Sequence, residues 1–452
     1  MKDIEVKRVE YTNPTEPEFA AASNHNYRAA SLGGTPRAAN GPLDAFSGLV
    51  NGVQRMTQYA AVAAGAAGIT NGRAWSGPLN AQIGISDPCN HRCVMCWDHP
   101  PAERENVLTS PKARFGQRKP RLMSLKMFTE VVDDLYALGT RRIELVGRGE
   151  PLMNPHALDM LRYVSSLSGM NVQLISNGAL IDEKVAQATV ECGLDNLKIS
   201  LNAGRPSTYP RIHVTESEEN YLKVKSNLRR VSDLKAAAHA QAPSITLSFC
   251  IGAFNYGEIE DMIRVAHEVG AQEAMFAHTV VHDDTQDLML TSDQYLALKE
   301  STYAAERLAA ALGMQNNLAT LRDEVPSYLG EVASVGPATV PCYAGWYFAF
   351  VLGNGSVMFC CQCSVAIDEI TDQRRFRDIW NDHAYRDYRK AARNLPEKDP
   401  LLKSCECDRC ALRRRNLSIH NFARPFERIE CGDEVETFSL AAIRQKLKGR
   451  KG

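Results

Sequence analysis

The stretch Asp87-Pro88-Cys89-Asn90-His91-Arg92-Cys93-Val94-Met95-Cys96-Trp97 carries three cysteines at C-x3-C-x2-C spacing. It follows a short alternating run, Asn80-Ala81-Gln82-Ile83-Gly84-Ile85, that reads as a strand. Three thiolates within eight residues can wrap one corner of a metal cluster from a single loop. No fourth cysteine at the usual zinc spacing completes a tetrahedral site locally. His91 and His99 are nearby imidazoles, but His91 lies inside the tight loop, where reaching the same metal is strained. A 4Fe–4S cluster held by three cysteines leaves one iron open, and an open iron can bind a small molecule.

This pattern resembles that of the radical S-adenosylmethionine (SAM) enzymes. In that family the open iron is chelated by SAM, and one electron from the cluster cleaves SAM to a 5′-deoxyadenosyl radical. The radical then abstracts a substrate hydrogen. The family's usual aromatic residue before the last cysteine is Met95 here.

At 452 residues the chain can bury a large core and holds more than one expected domain. A hydrophobic content of 44% with 23% charged residues is that of an ordinary globular protein. The net charge of −1 gives no electrostatic argument for nucleic acid or membrane partners. The basic tail from Arg444 to Lys451 is short and reads as a solvated helix end. No apolar run reaches the roughly 18 residues of a transmembrane helix. The first residues lack the apolar core of a secretory signal. Thirteen cysteines, most of them clustered, then read as metal ligation in a reducing cytoplasm rather than as a disulfide scaffold.

Residues 1–78 are expected to form an N-terminal extension, with a helix between Leu43 and Ala67. The family's peptide-modifying branch often begins with a small peptide-recognition domain, and no such pattern is visible there. From 79 to 312 strands and helices alternate. The expected strands are 80–86, 142–147, 171–176, 196–202, 244–251 and 273–280. The intervening helices are 124–135, 183–192, 219–238, 257–269 and 292–311. Six such units imply a parallel α/β sheet with right-handed crossovers, its chemistry at the C-terminal strand ends. The resemblance implies the family's partial (β/α)6 barrel.

Further motifs sit at those strand ends. Gly147-Arg148-Gly149-Glu150-Pro151 resembles the family's GGEP motif, which holds the SAM ammonium, with Arg148 in place of the second glycine. Ser176-Asn177-Gly178 resembles the T-N-G turn. By the resemblance, Ser200 and Asn202 contact the SAM ribose and carboxylate, and alternation would point them to one face. Arg211 matches the place of an arginine near the SAM carboxylate, for which a guanidinium is well suited. Ile251-Gly252-Ala253-Phe254-Asn255 resembles the adenine-holding patch. Plain turns, a surface arginine and core packing are the competing readings.

After a linker at 313–338, a β-like run opens at Pro341-Cys342 and turns at Gly353-Asn354-Gly355, a strong hairpin signal. It returns to Cys360, and a helical stretch at 368–395 leads to Cys405-Glu406-Cys407-Asp408-Arg409-Cys410. This succession resembles the twitch domain, the shortened form of the SPASM domain. The chain is thus expected to end in a small α+β cluster-binding domain at 339–432, followed by a helix and basic tail at 433–452. The resemblance makes Cys342, Cys360, Cys407 and Cys410 ligands of one auxiliary 4Fe–4S cluster. Cys405 is the first substitute, and Cys361, Cys363 and Cys431 leave the ligand set open. A zinc ribbon is the alternative.

The leading expectation is a radical SAM oxidoreductase or lyase acting on a small polar molecule such as a sugar or aminocyclitol. It would draw on an external one-electron donor such as flavodoxin or ferredoxin. The first alternative is a maturase of a ribosomally made peptide, and the second a non-catalytic zinc-binding protein. Tyr343, Trp346, Cys361, Cys363 and His278 are candidates to face the cavity, with no catalytic role assigned.

Overall fold

A computed structural model describes residues 68–69, 72–96, 98–101, 121–281, 285–328, 340–395, 399–405, 407, 410, 412 and 415–421. The expected extension before residue 68, its helix between Leu43 and Ala67, Trp97, Cys431 and the basic tail lie outside the described residues. The described residues belong to one compact unit. No helix among them is long and apolar enough to cross a membrane.

Six parallel strands follow in chain order: β1 (Asn80–Gly84), β2 (Arg142–Val146), β3 (Asn171–Ser176), β4 (Asn196–Ser200), β5 (Ser244–Ile251) and β6 (Glu273–His278). Each is buried on one face by fully inaccessible aliphatics such as Ile83, Ile143, Leu145, Val172, Leu197, Ile199, Ile245 and Leu247. The crossover helices are amphipathic. In Leu125–Ala137, Phe128, Val131, Val132 and Leu135 form the buried stripe, and the Ser124 side chain caps its start by accepting from Met127 N. Each such side chain contributes about 1.5–3 kcal/mol on burial. The opposite face of the sheet presents Gln82, Glu144, Gln173, Lys198, Thr246, Ser248 and Cys250, because side chains alternate along a strand.

Three strands end two residues short of the sequence reading: β1 at Gly84, β4 at Ser200 and β6 at His278. Neither Ser86 nor Asn202 continues its strand. Ser86 forms an isolated bridge with Leu122, and Asn202 adopts a left-handed φ of 59°. The expected alternation of Ser200 with Asn202 therefore breaks at β4's end. Asparagine tolerates this conformation because its short amide bonds locally.

The C-terminal region is built into the same sheet. β7 (Gln315–Asn316) pairs with β6, and the helix Leu318–Tyr328 follows it, so part of the expected linker is structured. β8 (Phe348–Val351) pairs in parallel with β1, and β9 (Ser356–Met358) returns antiparallel to β8 through the turn containing Gly355, whose φ is +86°. The run begins not as a strand but as a helical turn, Ala344–Tyr347. The stretch expected to be helical from 368 opens instead as β10 (Ala366–Glu369), and the helices are Phe376–Trp380 and His383–Arg393. Among the described residues the sheet thus has ten strands, in the order β10-β9-β8-β1-β2-β3-β4-β5-β6-β7. β1 would otherwise be an edge with unpaired backbone groups, and β8 satisfies them. Asp134, buried on the first crossover helix, holds the two regions together through Arg375, whose guanidinium lies 3.0 Å away.

Candidate active site

The three-cysteine loop leaves the C-terminal end of β1 and is gripped from two sides. On one side the β2-end loop zips onto it: Gly149 N donates to Ser86 O at 3.1 Å and Glu150 N to Pro88 O at 2.9 Å. A Cβ on Gly149 would stand 1.9 Å from Pro88 O, and one on Gly147 would stand 2.5 Å from Ser86 O. These glycines admit the cysteine loop's own backbone. Arg148, the residue that breaks the motif, forms an ion pair at 2.9 Å with Asp98 beyond the third cysteine.

Glu150 is buried and its carboxylate organises the neighbouring strand end. It accepts from Leu152 N at 3.1 Å, Ser176 Oγ at 2.8 Å and Asn177 N at 2.8 Å. Burial pushes its carboxyl above the usual range, and these three donors act in the opposite direction. Asn177 Nδ2 continues the chain of contacts to Asn90 Oδ1, 2.8 Å away inside the cysteine loop. At β4's end, Asn202 Oδ1 accepts from Cys250 N at 2.9 Å, and Asn255 Nδ2 donates to Asn202 O at 2.7 Å. Ser200 closes β4 on the open face, and its carbonyl accepts from Asn202 Nδ2 at 3.4 Å. Arg211 is exposed, in the last turn of the short helix Tyr209–Ile212.

On the other side, residues 212–214 run antiparallel to the cysteine loop, with Val94 N bonded to Ile212 O and Val214 N to Arg92 O. This places the buried His213 with Nδ1 at 3.0 Å from Cys93 Sγ. Its Nε2 lies 3.2 Å from Leu201 O. Burial lowers His213 to about 3 and His91 to about 4, so both rings are neutral near pH 7. His91 is buried beside them with no hydrogen bond to either ring nitrogen among the described residues. The ligand atoms of His91, Cys93 and His213 lie within 4.8 Å of one another. This triplet shares Cys93 with the three-cysteine set and is not a separate centre. Nothing in the motif pattern singled out His213, because its partner lies 120 residues away in the chain.

The residues suit a cluster. Each sulfur meets a nitrogen at its rim: His91 N at 3.4 Å from Cys89, His213 Nδ1 at 3.0 Å from Cys93, and His99 N at 3.1 Å from Cys96. The two backbone N–H groups, at Cys89 and Cys96, are donors of the kind that orient and stabilise metal-bound thiolates. Burial raises all three thiols, Cys96 to about 12, so the thiolate form there calls for a cation beside it.

The second centre forms at the base of the β8–β9 hairpin. Cys342, Cys360, Cys407 and Cys410 line one cavity with Phe359, Leu395, Leu402 and Leu412. Asn416 Nδ2 lies 3.5 Å from Cys342 Sγ, and Gln362 N lies 3.4 Å from Cys360 Sγ. Four thiols around an apolar-walled cavity suit an iron–sulfur group. Cys405, the expected substitute ligand, also lines the cavity but is joined to Cys363 in a disulfide. The backbones of 363 and 405 meet there in an isolated bridge, which brings the two side chains together. Burial pushes the Cys361 thiol up to about 12, and Cys410 and Glu144 act in the same direction. Tyr343 and Trp346 are buried, Trp346 donating to Arg73 O at 3.1 Å, and His278 is buried against Leu321 O at 3.2 Å.

Two regions of the chain match known families. Residues 83–266 match the model of the radical SAM superfamily, and residues 342–411 match that of an iron–sulfur cluster-binding domain, SPASM. The chain is 26% identical over 318 residues to PqqA peptide cyclase of Gluconobacter oxydans, covering 68% of this chain and 77% of that protein. It is 25% identical over 309 residues to GTP 3′,8-cyclase of Peptoclostridium acidaminophilum, covering 66% of this chain and 85% of that one. Among solved structures, Streptococcus suis SuiB bound to S-adenosylmethionine superposes with a TM-score of 0.52 at 14% identity, over 74% of this chain and 72% of SuiB. That likeness is one of fold.

Proposed function

Because this chain belongs to the radical SAM superfamily and ends in a SPASM-type cluster-binding region, we propose that it matures a ribosomally made peptide by hydrogen abstraction. The family makes it an enzyme that uses a 4Fe–4S cluster, SAM and auxiliary iron–sulfur binding. This sets aside the non-catalytic zinc alternative. The observation that carries the peptide substrate is the likeness to PqqA peptide cyclase over 68% of the chain. It reverses the preference for a sugar or aminocyclitol drawn from the sequence.

In this reading Cys89, Cys93 and Cys96 hold the SAM-binding cluster, and Cys342, Cys360, Cys407 and Cys410 hold the auxiliary one. When bound, these groups supply one-electron chemistry and a hydrogen-abstracting radical. The protein's own work is positioning. Gly147 and Gly149 let the β2-end loop clasp the cysteine loop. Glu150 fixes Ser176 and Asn177 to the same rim, and Ser200, Asn202 and Arg211 stand at the next strand end and beyond it, where SAM is expected. The polar open face of the sheet below holds the substrate out of bulk water.

The test is isotopic. The reconstituted enzyme is incubated with SAM and a perdeuterated candidate precursor peptide. The expected result is deuterium in 5′-deoxyadenosine and a changed peptide mass. The GTP cyclase likeness supports a second reading, a small polar substrate such as a nucleotide. Deuterium arriving from labelled nucleotide or sugar, and none from the peptide, would establish that reading instead.

A further inference from the structure

The open face of the sheet has a floor of polar side chains that satisfy one another. Gln82, Glu144, Gln173 and Asn196 stand in register across β1 to β4. Glu144 accepts from Asn80 at 3.0 Å and Gln82 at 2.9 Å and pairs with Arg142 at 3.3 Å. Gln173 donates to Asn196, Asn196 to Thr246 Oγ1 at 2.9 Å, and Thr246 to Glu273 at 2.9 Å. The floor therefore uses up its own carboxylates.

Lys198 stands on β4 one step above that floor and one step below Ser200, between the floor and the strand ends that carry the cofactor motifs. Its side chain is half-buried. Its ammonium crosses β5 to reach Met275 Sδ at 3.7 Å, and no carboxylate of the described residues lies within ion-pair distance. A thioether is a weak acceptor, and an ammonium has three donors to satisfy. An ammonium whose one recorded protein acceptor is a thioether keeps donors available for a ligand.

We propose that Lys198 is the carboxylate-binding residue of the substrate cavity, taking an acidic side chain or the C-terminal carboxylate of the substrate. The ligand is singly charged. Among the described residues of these strands, the other cation of this face, Arg142, is paired to Glu144, so a polyphosphate would meet one lysine where it needs several donors. Naming the carboxylate's source as a peptide rests on the function proposed above. The carboxylate site itself does not.

The experiment is amine acylation of the reconstituted holoenzyme, read at Lys198 by peptide mass spectrometry. The arms are no ligand, SAM alone, SAM with glutarate, and SAM with a pentapeptide amide carrying a central Glu or a central Gln. The expected result is that glutarate and the Glu peptide slow acylation about tenfold while the Gln peptide does not, as for one charge-assisted hydrogen bond. Glutarate binding measured by calorimetry should weaken about tenfold in Lys198→Met and persist in Lys198→Arg. Protection by SAM alone would assign the lysine to the cofactor's carboxylate and overturn the proposal. So would the absence of protection by any carboxylate. Protection by glutarate without protection by the Glu peptide would keep the site and exclude an acidic side chain of a peptide as its ligand.

Discussion

Cys93 Sγ lies 3.0 Å from His213 Nδ1, while the other ring nitrogen of His213 faces the carbonyl of Leu201 at 3.2 Å. The carbonyl requires a proton on Nε2, which leaves Nδ1 as an acceptor for the Cys93 thiol in the metal-free protein. The ring therefore holds the central cysteine of the loop in place and is positioned to receive its proton. Removing the ring takes away that contact and a buried wedge between the cysteine loop and residues 212–214. His213→Ala is expected to lose iron to a chelator severalfold faster from the three-cysteine site than from the auxiliary site. Iron release followed separately by electron paramagnetic resonance of each cluster checks this.

Gly149→Ala forces a Cβ to 1.9 Å from Pro88 O and 2.3 Å from Asp87 O. Both obstacles are backbone, so the β2-end loop must separate from the cysteine loop. A loss of about 1–3 kcal/mol in unfolding free energy is expected, as for an overpacked interior. SAM binding to the reconstituted variant should fall with it. Denaturant unfolding and equilibrium SAM binding measure the two effects.

Glu150→Gln replaces an acceptor with an amide whose NH2 opposes one of the donors Leu152 N, Ser176 Oγ and Asn177 N. The cost is about 1–3 kcal/mol for an unsatisfied buried group. Burial raises the Glu150 carboxyl above its ordinary 4.5, so the folded state binds its proton more tightly than the unfolded state. That contribution is fully present below pH 4.5 and is lost as pH rises through the folded value. The wild type's advantage over Glu150→Gln should thus be widest in acid and shrink towards neutral pH. Urea denaturation of the two apoproteins across pH reads the trend.

Arg389 is fully buried and donates to Gly345 O at 2.7 Å, Trp380 O at 2.7 Å and Asn381 Oδ1 at 3.1 Å. Its guanidinium lies 4.6 Å from the Trp380 ring centroid and 4.5 Å from that of Tyr385. It ties the Ala344–Tyr347 turn, which follows Cys342, to the last two helices. Arg389→Leu leaves three acceptors behind and should cost about 2–4 kcal/mol. Arg389→Lys should recover little, since an ammonium cannot reproduce the planar fork. Thermal unfolding with auxiliary-cluster content checks both.

Iron content separates the two centres. After anaerobic reconstitution, about eight irons are expected in the wild type and about four in a Cys89/Cys93/Cys96→Ala variant. Replacing Cys342, Cys360, Cys407 and Cys410 should leave about four, all in the SAM-binding cluster. Iron and sulfide analysis with electron paramagnetic resonance reads the result.

The sequence by itself determined the chemistry and the frame. Three cysteines at close spacing constrain a metal from one loop whatever surrounds them. Period-two alternation and capped amphipathic runs define β1 to β6, with most boundaries within two residues, because each is a local property of the backbone. Tertiary structure alone decided which groups meet across the chain. That Gly147 and Gly149 admit backbone, that Glu150 serves as a buried acceptor for the β3 end, and that His213 reaches Cys93 all depend on loops distant in sequence. The union of β8 with β1, 268 residues apart at the Ala81–Ala349 pair, follows from an unpaired edge needing a partner, and no local pattern encodes which edge that is. Cys363 and Cys405 likewise look like two more candidate ligands in the sequence, until the backbones of 363 and 405 cross and join them.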